Sequence, residues 1–174
     1  MEFRVLGPIE VWDGDVLVEV AAPRQRAILA LLLIHAGTVL TPDRILEEIW
    51  GDEQPKSGAR TVHFHISKLR SALDPDRTRG SVDGPVVSRG GGYELFAEDT
   101  HIDSRQFESL VRQARVALGS DPAAASVVLD EALGLWRGDA YIDFAYAPFA
   151  GMEIARLNEL RLAATEDLLE AQVA

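Results

Sequence analysis

The chain has 174 residues, enough for one large domain or two small ones, and 47% of them are hydrophobic, which excludes wholesale disorder. It contains no cysteine, so disulfides, thiolate metal sites and cysteine nucleophiles are excluded, and we expect a reducing, cytoplasmic location. The net charge is −11, but residues 1–97 hold 11 Lys/Arg and 14 Asp/Glu whereas residues 98–174 hold 6 and 14. The apolar runs are too short to span a bilayer and the first residues resemble a strand, so we expect neither membrane association nor a signal peptide.

The first twenty residues alternate in the manner of β-structure. Three β-branched or aromatic runs are separated by Gly-Pro and Asp-Gly-Asp turns and cover residues 3–6, 9–12 and 16–20. They predict a small antiparallel sheet.

Helical patterns follow. Pro23 opens a helix over residues 24–36, and Thr41 and Pro42 form the N-cap and first residue of a second helix that stops at Gly51. A third helix is predicted over residues 59–73. Two short apolar runs then flank Gly90-Gly91-Gly92, which is typical of a β-hairpin with a tight turn. Three helices followed by a hairpin describe a winged helix-turn-helix.

From residue 103 the pattern is helical only. Helices over about 103–118 and 122–138 form one helix-turn-helix unit of about the tetratricopeptide length, and an aromatic connector at 141–151 leads to a helix over 152–174. Because such units need about three repeats to bury a continuous core, we expect a truncated helical domain. The predicted fold is therefore an α+β winged-helix domain, residues 1–98, followed by an all-α tetratricopeptide-like domain, residues 99–174.

The third helix has a polar face suited to reading DNA. Its apolar side contains Val62, Ile66, Leu69 and Leu73, and the opposite side contains Arg60, His63, Phe64, Ser67, Lys68 and Ser71. Cations, small polar groups and an apolar ring are what major-groove readout uses. Residues 54–91 also hold seven Lys/Arg, Arg77 and Arg79 among them, against three Asp/Glu. Lys68 and Arg70 would equally suit phosphates, and a solvated helix face remains the alternative.

Phosphate contacts are predicted outside this helix as well. Arg24 and Arg26 begin the first helix, and the free N–H groups near Thr41 suit an anion. Arg89 beside the glycine turn fits either a minor groove or a plain surface cation. The predicted DNA-binding residues are Arg24, Arg26, Thr41, Arg60, Thr61, His63, Phe64, Ser67, Lys68, Arg70 and Arg89.

Catalysis, cofactors and metals are not expected. His63 and His65 lie about 200° apart on a helix and cannot share a metal ion there, and the nucleophile-elbow and zinc-protease motifs are missing. The alternative to a DNA-binding protein is an interaction scaffold whose winged helix binds protein.

The residues 57–73, together with Val86-Val87-Ser88-Arg89 and Gly92-Tyr93-Glu94-Leu95, resemble the Streptomyces antibiotic regulatory protein family. So does the segment 23–33, and residues 121–138 and 155–161 resemble that family's bacterial transcriptional activation domain. Family members often have proline at the wing tip, where this chain has Gly90-Gly91.

The resemblance implies an OmpR-type winged helix and a cytoplasmic activator of biosynthetic genes, such as those for antibiotics. It also implies binding as a homodimer to direct repeats in double-stranded promoter DNA and recruitment of the RNA polymerase holoenzyme.

Overall fold

The structure is a computed structural model that describes residues 1–75 and 84–173, so Arg77 and Arg79 of the basic segment lie outside the described residues. The chain forms two compact units. The first contains Met1 and residues 11–98 and 146–150, and the second contains residues 2–10, 99–145 and 151–174. The sequence suggested one boundary near residue 98, whereas in the structure residues 2–10 belong with the helical unit.

The core of the first unit is the helix α1 (Pro23–Ile34), in which Ala27 to Leu33 are all buried. The helices α2 (Pro42–Trp50) and α3 (Ala59–Leu73) pack against α1 and against each other. Each large aliphatic side chain buried here contributes about 1.5–3 kcal/mol relative to its exposed state. The predicted bounds of α2 and α3 are confirmed.

The ends of these helices follow from local chemistry. Thr41 Oγ1 accepts a hydrogen bond from the backbone N–H of Arg44 (3.2 Å), which confirms Thr41 as an N-cap. The helix α1 ends at Ile34 rather than at the predicted Ala36, because the N–H of Gly37 donates to the carbonyl oxygen of Leu95 (3.0 Å) instead of continuing the helix.

The N-terminal strands are shorter than predicted. They are β1 (Glu2–Arg4), β2 (Glu10–Asp13) and β3 (Val16–Leu17), with Trp12 opposite Leu17 in the antiparallel β2–β3 pair. The strand β1 stops at Arg4 because the N–H groups of the next two residues donate to a side chain, the carboxylate of Asp103, rather than to a strand.

The predicted hairpin is the antiparallel pair β4 (Val86–Arg89) and β5 (Gly92–Leu95). Arg89 lies opposite Gly92, so the turn consists of Gly90 and Gly91 alone, and both have positive φ (55° and 80°). A two-residue turn of this kind requires positive φ at both positions, which glycine adopts without steric cost.

The hairpin is completed by a third extended segment. The backbones of Leu40 and Tyr93 exchange two hydrogen bonds of 2.8 Å each, so β5 pairs with the connection between α1 and α2. This pairing fixes the wing of a winged helix onto its helical core.

The second unit is built on the paired helices α4 (Asp103–Leu118) and α5 (Pro122–Gly134). Asp121 caps α5 by accepting from the N–H of Ala124 (3.0 Å). The helix α6 (Pro148–Val173) is joined to α4 by two ion pairs, Arg115 with Asp167 (2.6 Å) and Arg156 with Glu108 (2.5 Å). None of the helices described in residues 1–75 and 84–173 is long and apolar enough to cross a membrane.

Two predicted helix bounds in this unit are wrong. The helix α5 ends at Gly134 instead of Gly138, and Trp136 lies beyond it, with its ring edge against Phe107 (centroids 5.4 Å apart) and under the guanidinium of Arg161. The helix α6 begins at Pro148 rather than Met152, since proline fits a first helical position where no N–H is needed.

The aromatic residues of the connector do not share one environment. Tyr141 is buried with 1% exposure and Tyr146 is fully exposed, whereas Phe144 and Phe149 are partly buried.

Candidate nucleic-acid interface

The helix α3 separates its two faces as the sequence predicts. Val62, Ile66 and Leu69 are at most 1% exposed. The residues of the opposite face are exposed to solvent, and they are Arg60, His63, Phe64, Ser67 and Lys68. Phe64 is 55% exposed, which is costly for an aromatic ring in water, and the ammonium of Lys68 lies 5.8 Å from the ring centroid. An apolar ring beside a cation, on a protruding helix face, suits both a thymine methyl and a negative backbone.

Thr61 differs from its neighbours on α3. It is only partly exposed, and its hydroxyl is hydrogen-bonded to that of Ser57 at the start of the helix (2.7 Å). The structure therefore gives Thr61 a role in shaping the first turn, and its predicted DNA contact stays a prediction.

Arg70 is directed at the wing. Its Nε donates to the carbonyl oxygen of Val86 (2.9 Å), its Nη2 donates to Ser88 Oγ (2.8 Å), and its guanidinium lies 5.4 Å from the ring centroid of Tyr93. These contacts connect α3 to both wing strands. Arg70 thus positions the wing, a role that the predicted phosphate contact did not include.

We expect Arg70→Ala to weaken specific DNA binding by about 1–2 kcal/mol, because two hydrogen bonds to the wing are lost and the wing tip is no longer held. The check is a double-mutant cycle with Arg89→Ala, measured as DNA affinity. If Arg70 acts through the wing, the second substitution adds less than its own effect. Fully additive losses would instead mean that Arg70 contacts DNA by itself.

A cleft of about 280 Å³ lies between α3 and the wing. It is lined by His63 and by the hairpin residues Ser88, Arg89, Gly90, Gly91, Gly92 and Tyr93. His63 Nδ1 is hydrogen-bonded to the Tyr93 hydroxyl across this cleft. Tyr93 was not among the predicted site residues, because nothing near it in sequence indicates a contact with a residue 30 positions earlier.

Arg89 lies at the end of β4, next to the glycine turn. Its side chain is 69% exposed and its Nη1 donates to the nearly buried carboxylate of Glu94 (3.2 Å). The carboxylate directs the guanidinium and reduces its net charge, so Arg89 is a weaker phosphate ligand than an isolated arginine would be.

The phosphate ligands predicted at the helix starts do not converge. Arg24 donates to the carbonyl oxygen of Ile49 (2.8 Å) and lies over the Trp50 ring (5.1 Å), at the carboxyl end of α2. Thr41 caps the opposite end, roughly 13 Å away along a nine-residue helix. Arg26 is partly buried. The structure gives Arg24 a helix-capping role, and DNA contacts of all three residues stay predictions.

His65 occupies a different environment from His63. Its ring lies 5.7 Å from that of Trp50 and 5.4 Å from that of Phe64. Burial, with a smaller contribution from the positive charge of Arg24, lowers the pKa of His65. His65 is therefore neutral at physiological pH, and its ring packs against that of the exposed Phe64.

Comparison with known proteins agrees with this architecture. Residues 19–95 match the family described as "Transcriptional regulatory protein, C terminal", and residues 102–174 match the "Bacterial transcriptional activator domain". This chain belongs to the Streptomyces antibiotic regulatory protein family. The family consists of transcription regulators of the OmpR winged-helix type and not of enzymes.

Among the relatives are the regulatory proteins AfsR of Streptomyces griseus (32% identity over 98% of this chain and 17% of AfsR) and DnrI of Streptomyces peucetius (33%, over 99% and 65%). The transcriptional regulator RedD of Streptomyces coelicolor is 30% identical over 98% of this chain and 49% of RedD. The chain thus spans between 17% and 65% of the length of these relatives.

A solved structure has the same fold. Mycobacterium tuberculosis EmbR, in complex with a low-affinity phosphopeptide, superposes with a TM-score of 0.90 and 25% identity, over 99% of this chain and 45% of EmbR. The predicted family and fold class are confirmed.

Proposed function

We propose that this protein is a sequence-specific DNA-binding transcriptional activator that inserts α3 into the major groove of promoter DNA. The observation that carries the proposal is the exposed face of α3, where Arg60, Phe64 and Lys68 protrude beside a wing fixed to the same helix. Membership of a family of winged-helix regulators supports it. The genes of a biosynthetic cluster are the proposed target.

The test begins with footprinting on the promoter DNA next to the protein's own gene. On the fragment found, Arg60→Ala and Lys68→Ala should each weaken specific binding by about 1–3 kcal/mol if the side chain pairs with a base. Ser71→Ala, at the end of the same exposed face, is the matched control. The measurement is affinity for the site and for unrelated DNA of equal length.

The salt dependence of DNA affinity distinguishes residues that contact bases from residues that contact phosphates. A residue that neutralises a phosphate flattens the plot of log affinity against log salt by roughly one unit when it is removed, and Arg89→Ala is the variant to examine.

Normal affinity of both Arg60→Ala and Lys68→Ala, with folding intact, would remove α3 as the reading helix. A flat salt dependence of the unaltered protein would favour the interaction scaffold.

We propose a different role for the helical unit. Residues 98–174 carry 14 acidic and 6 basic residues, so phosphates repel this part of the chain. Contacts with the RNA polymerase holoenzyme and with a second protomer suit it better.

Binding to direct repeats would place two protomers head to tail, so their contact is heterologous. We expect the full chain to bind a two-site fragment cooperatively at one spacing of the repeats and to lose cooperativity when half a helical turn is inserted. Equal affinity for one-site and two-site fragments would oppose pairing. Cutting the chain at residue 98 is not a useful test, because residues 2–10 belong to the helical unit.

A further inference from the structure

The imidazole of His63 on α3 is held by the wing, where it contacts the side chain of Tyr93 on β5. The Tyr93 hydroxyl lies against His63 Nδ1, and the two rings meet edge to face with centroids 5.8 Å apart. Tyr93 is buried, with 8% exposure, whereas His63 is exposed. The buried partner therefore occupies Nδ1, and Nε2 is the ring nitrogen left for a ligand outside.

The hydrogen-bond donors and acceptors of Tyr93 and His63 determine which nitrogen of the imidazole carries its proton. Burial raises the pKa of Tyr93 above its ordinary value, and the nearby Arg70 guanidinium opposes this only in part, so the hydroxyl keeps its proton at neutral pH. The hydroxyl hydrogen needs an acceptor, and unprotonated Nδ1 lies against it. The neutral imidazole then carries its proton on Nε2. In the imidazolium form both nitrogens carry protons, so Nε2 is a donor in either state.

We infer that Tyr93 makes His63 a hydrogen-bond donor toward the major groove, and that His63 thereby selects guanine at its N7 and O6 edge. Guanine presents two acceptors in that groove, N7 and O6. Adenine shares N7 but has an amino donor in place of O6, and cytosine also presents an amino donor, so an N–H is matched best by guanine. Tyr93 is a positioning residue in this arrangement, and His63 contacts the base. The inference rests on the proposed DNA-binding function.

The geometry of the wing leaves room for this contact. The turn next to His63 consists of Gly90 and Gly91, and open space lies where their side chains would be. The cleft of about 280 Å³ between α3 and the hairpin is thus open beside the imidazole. A base edge can approach Nε2 without displacing a side chain of the turn.

The first arm of the test needs no DNA. In the full chain, long-range ¹⁵N NMR of the histidine rings identifies which nitrogen of the neutral His63 imidazole is protonated. We expect the Nε2–H form in the unaltered protein and in Tyr146→Phe, the matched control that removes an exposed hydroxyl. A mixture of both forms is expected in Tyr93→Phe. A predominant Nδ1–H form in the unaltered protein would overturn the inference.

The second arm measures binding to the footprinted site with 7-deazaguanine, which lacks N7, placed at one guanine at a time. At one position we expect about a tenfold loss for the unaltered protein, the size of a single base contact. That loss should disappear in His63→Ala and shrink in Tyr93→Phe. Thermal unfolding of both variants reports on their folding, and His63→Ala suffices if Tyr93→Phe does not fold.

The outcomes separate the two proposals. If the protein binds its site but every 7-deazaguanine penalty persists in His63→Ala, DNA binding stands and the selection of guanine by His63 is wrong. If the protein binds no DNA specifically, both are wrong, even where the Nε2–H form is found.

Discussion

Replacing Gly92 with alanine should detach the wing from the three-helix core. A Cβ at this position would lie 2.4 Å from the carbonyl oxygen of Leu40 and 2.8 Å from Cγ1 of Val39. The nearest atom belongs to backbone, which cannot swing aside as a flexible side chain can. Because Gly92 adjoins the residue that exchanges two hydrogen bonds with Leu40, the clash acts directly on the pairing of β5.

We expect Gly92→Ala to lower the free energy of unfolding by about 2–4 kcal/mol, from strain and from the loss of one or both hydrogen bonds. Specific DNA binding should fall with it, since the wing and the Tyr93 hydroxyl lose their positions. The measurements are urea unfolding of the full chain and hydrogen exchange at the amides of Leu40 and Tyr93.

Gly134→Ala is the matched control. This glycine ends α5 with open space around the position of a Cβ, so alanine should leave stability unchanged or raise it slightly. Full exchange protection of Leu40 and Tyr93 in Gly92→Ala, with unaltered stability, would show that the wing does not depend on this close approach.

The sequence predicted those parts of the fold whose cause is local. Thr41-Pro42 starts α2, the 3.6-residue period fixes both faces of α3, and two glycines with positive φ define the hairpin turn. The same 3.6-residue period predicted that the α3 residues proposed to read DNA are exposed. These features depend on neighbours within a few positions, so composition and spacing contain the information.

What the sequence did not reveal depends on distant partners. Arg70 resembled a phosphate ligand, because nothing near it in sequence shows that its donors meet Val86 and Ser88. The contact of His63 with Tyr93 spans 30 positions and changes what the histidine can donate. The N-terminal strands likewise gave no sign that the chain after β1 binds a side chain 98 residues later.

That distant side chain, Asp103, is the residue of the helical unit whose loss should have the largest effect. Its carboxylate oxygens accept from the N–H groups of Val5 (2.7 Å) and Leu6 (3.1 Å), both fully buried residues. Arg137 Nη2 lies 3.7 Å from the same carboxylate. The carboxylate at the start of α4 therefore fastens the segment after β1 to the helices.

We expect Asp103→Ala to cost about 2–6 kcal/mol in the free energy of unfolding, because two buried N–H groups lose their acceptor and each such loss costs about 1–3 kcal/mol. Asp103→Asn should cost less, since one amide oxygen remains while the amide N–H₂ opposes the second donor. Asp130→Asn, on the exposed side of α5, is the control and should be close to neutral.

The effect of Asp103 should also depend on pH. Burial raises the pKa of Asp103 above its ordinary value of 3.8, although the N–H groups of Val5 and Leu6 and the charge of Arg137 act in the opposite direction. The folded state then holds this proton more tightly than the unfolded chain does. The stability that this proton contributes is complete below pH 3.8 and is lost as pH rises through the raised pKa.

The unfolding free energy of the unaltered protein minus that of Asp103→Asn should therefore decrease as pH rises above 3.8 and become constant above the raised pKa. Urea unfolding of both proteins at several pH values gives this difference directly, and groups that titrate in both cancel. A difference that increases with pH would mean that the two N–H donors and Arg137 outweigh burial, and that Asp103 is held in its ionised form by the contacts it makes.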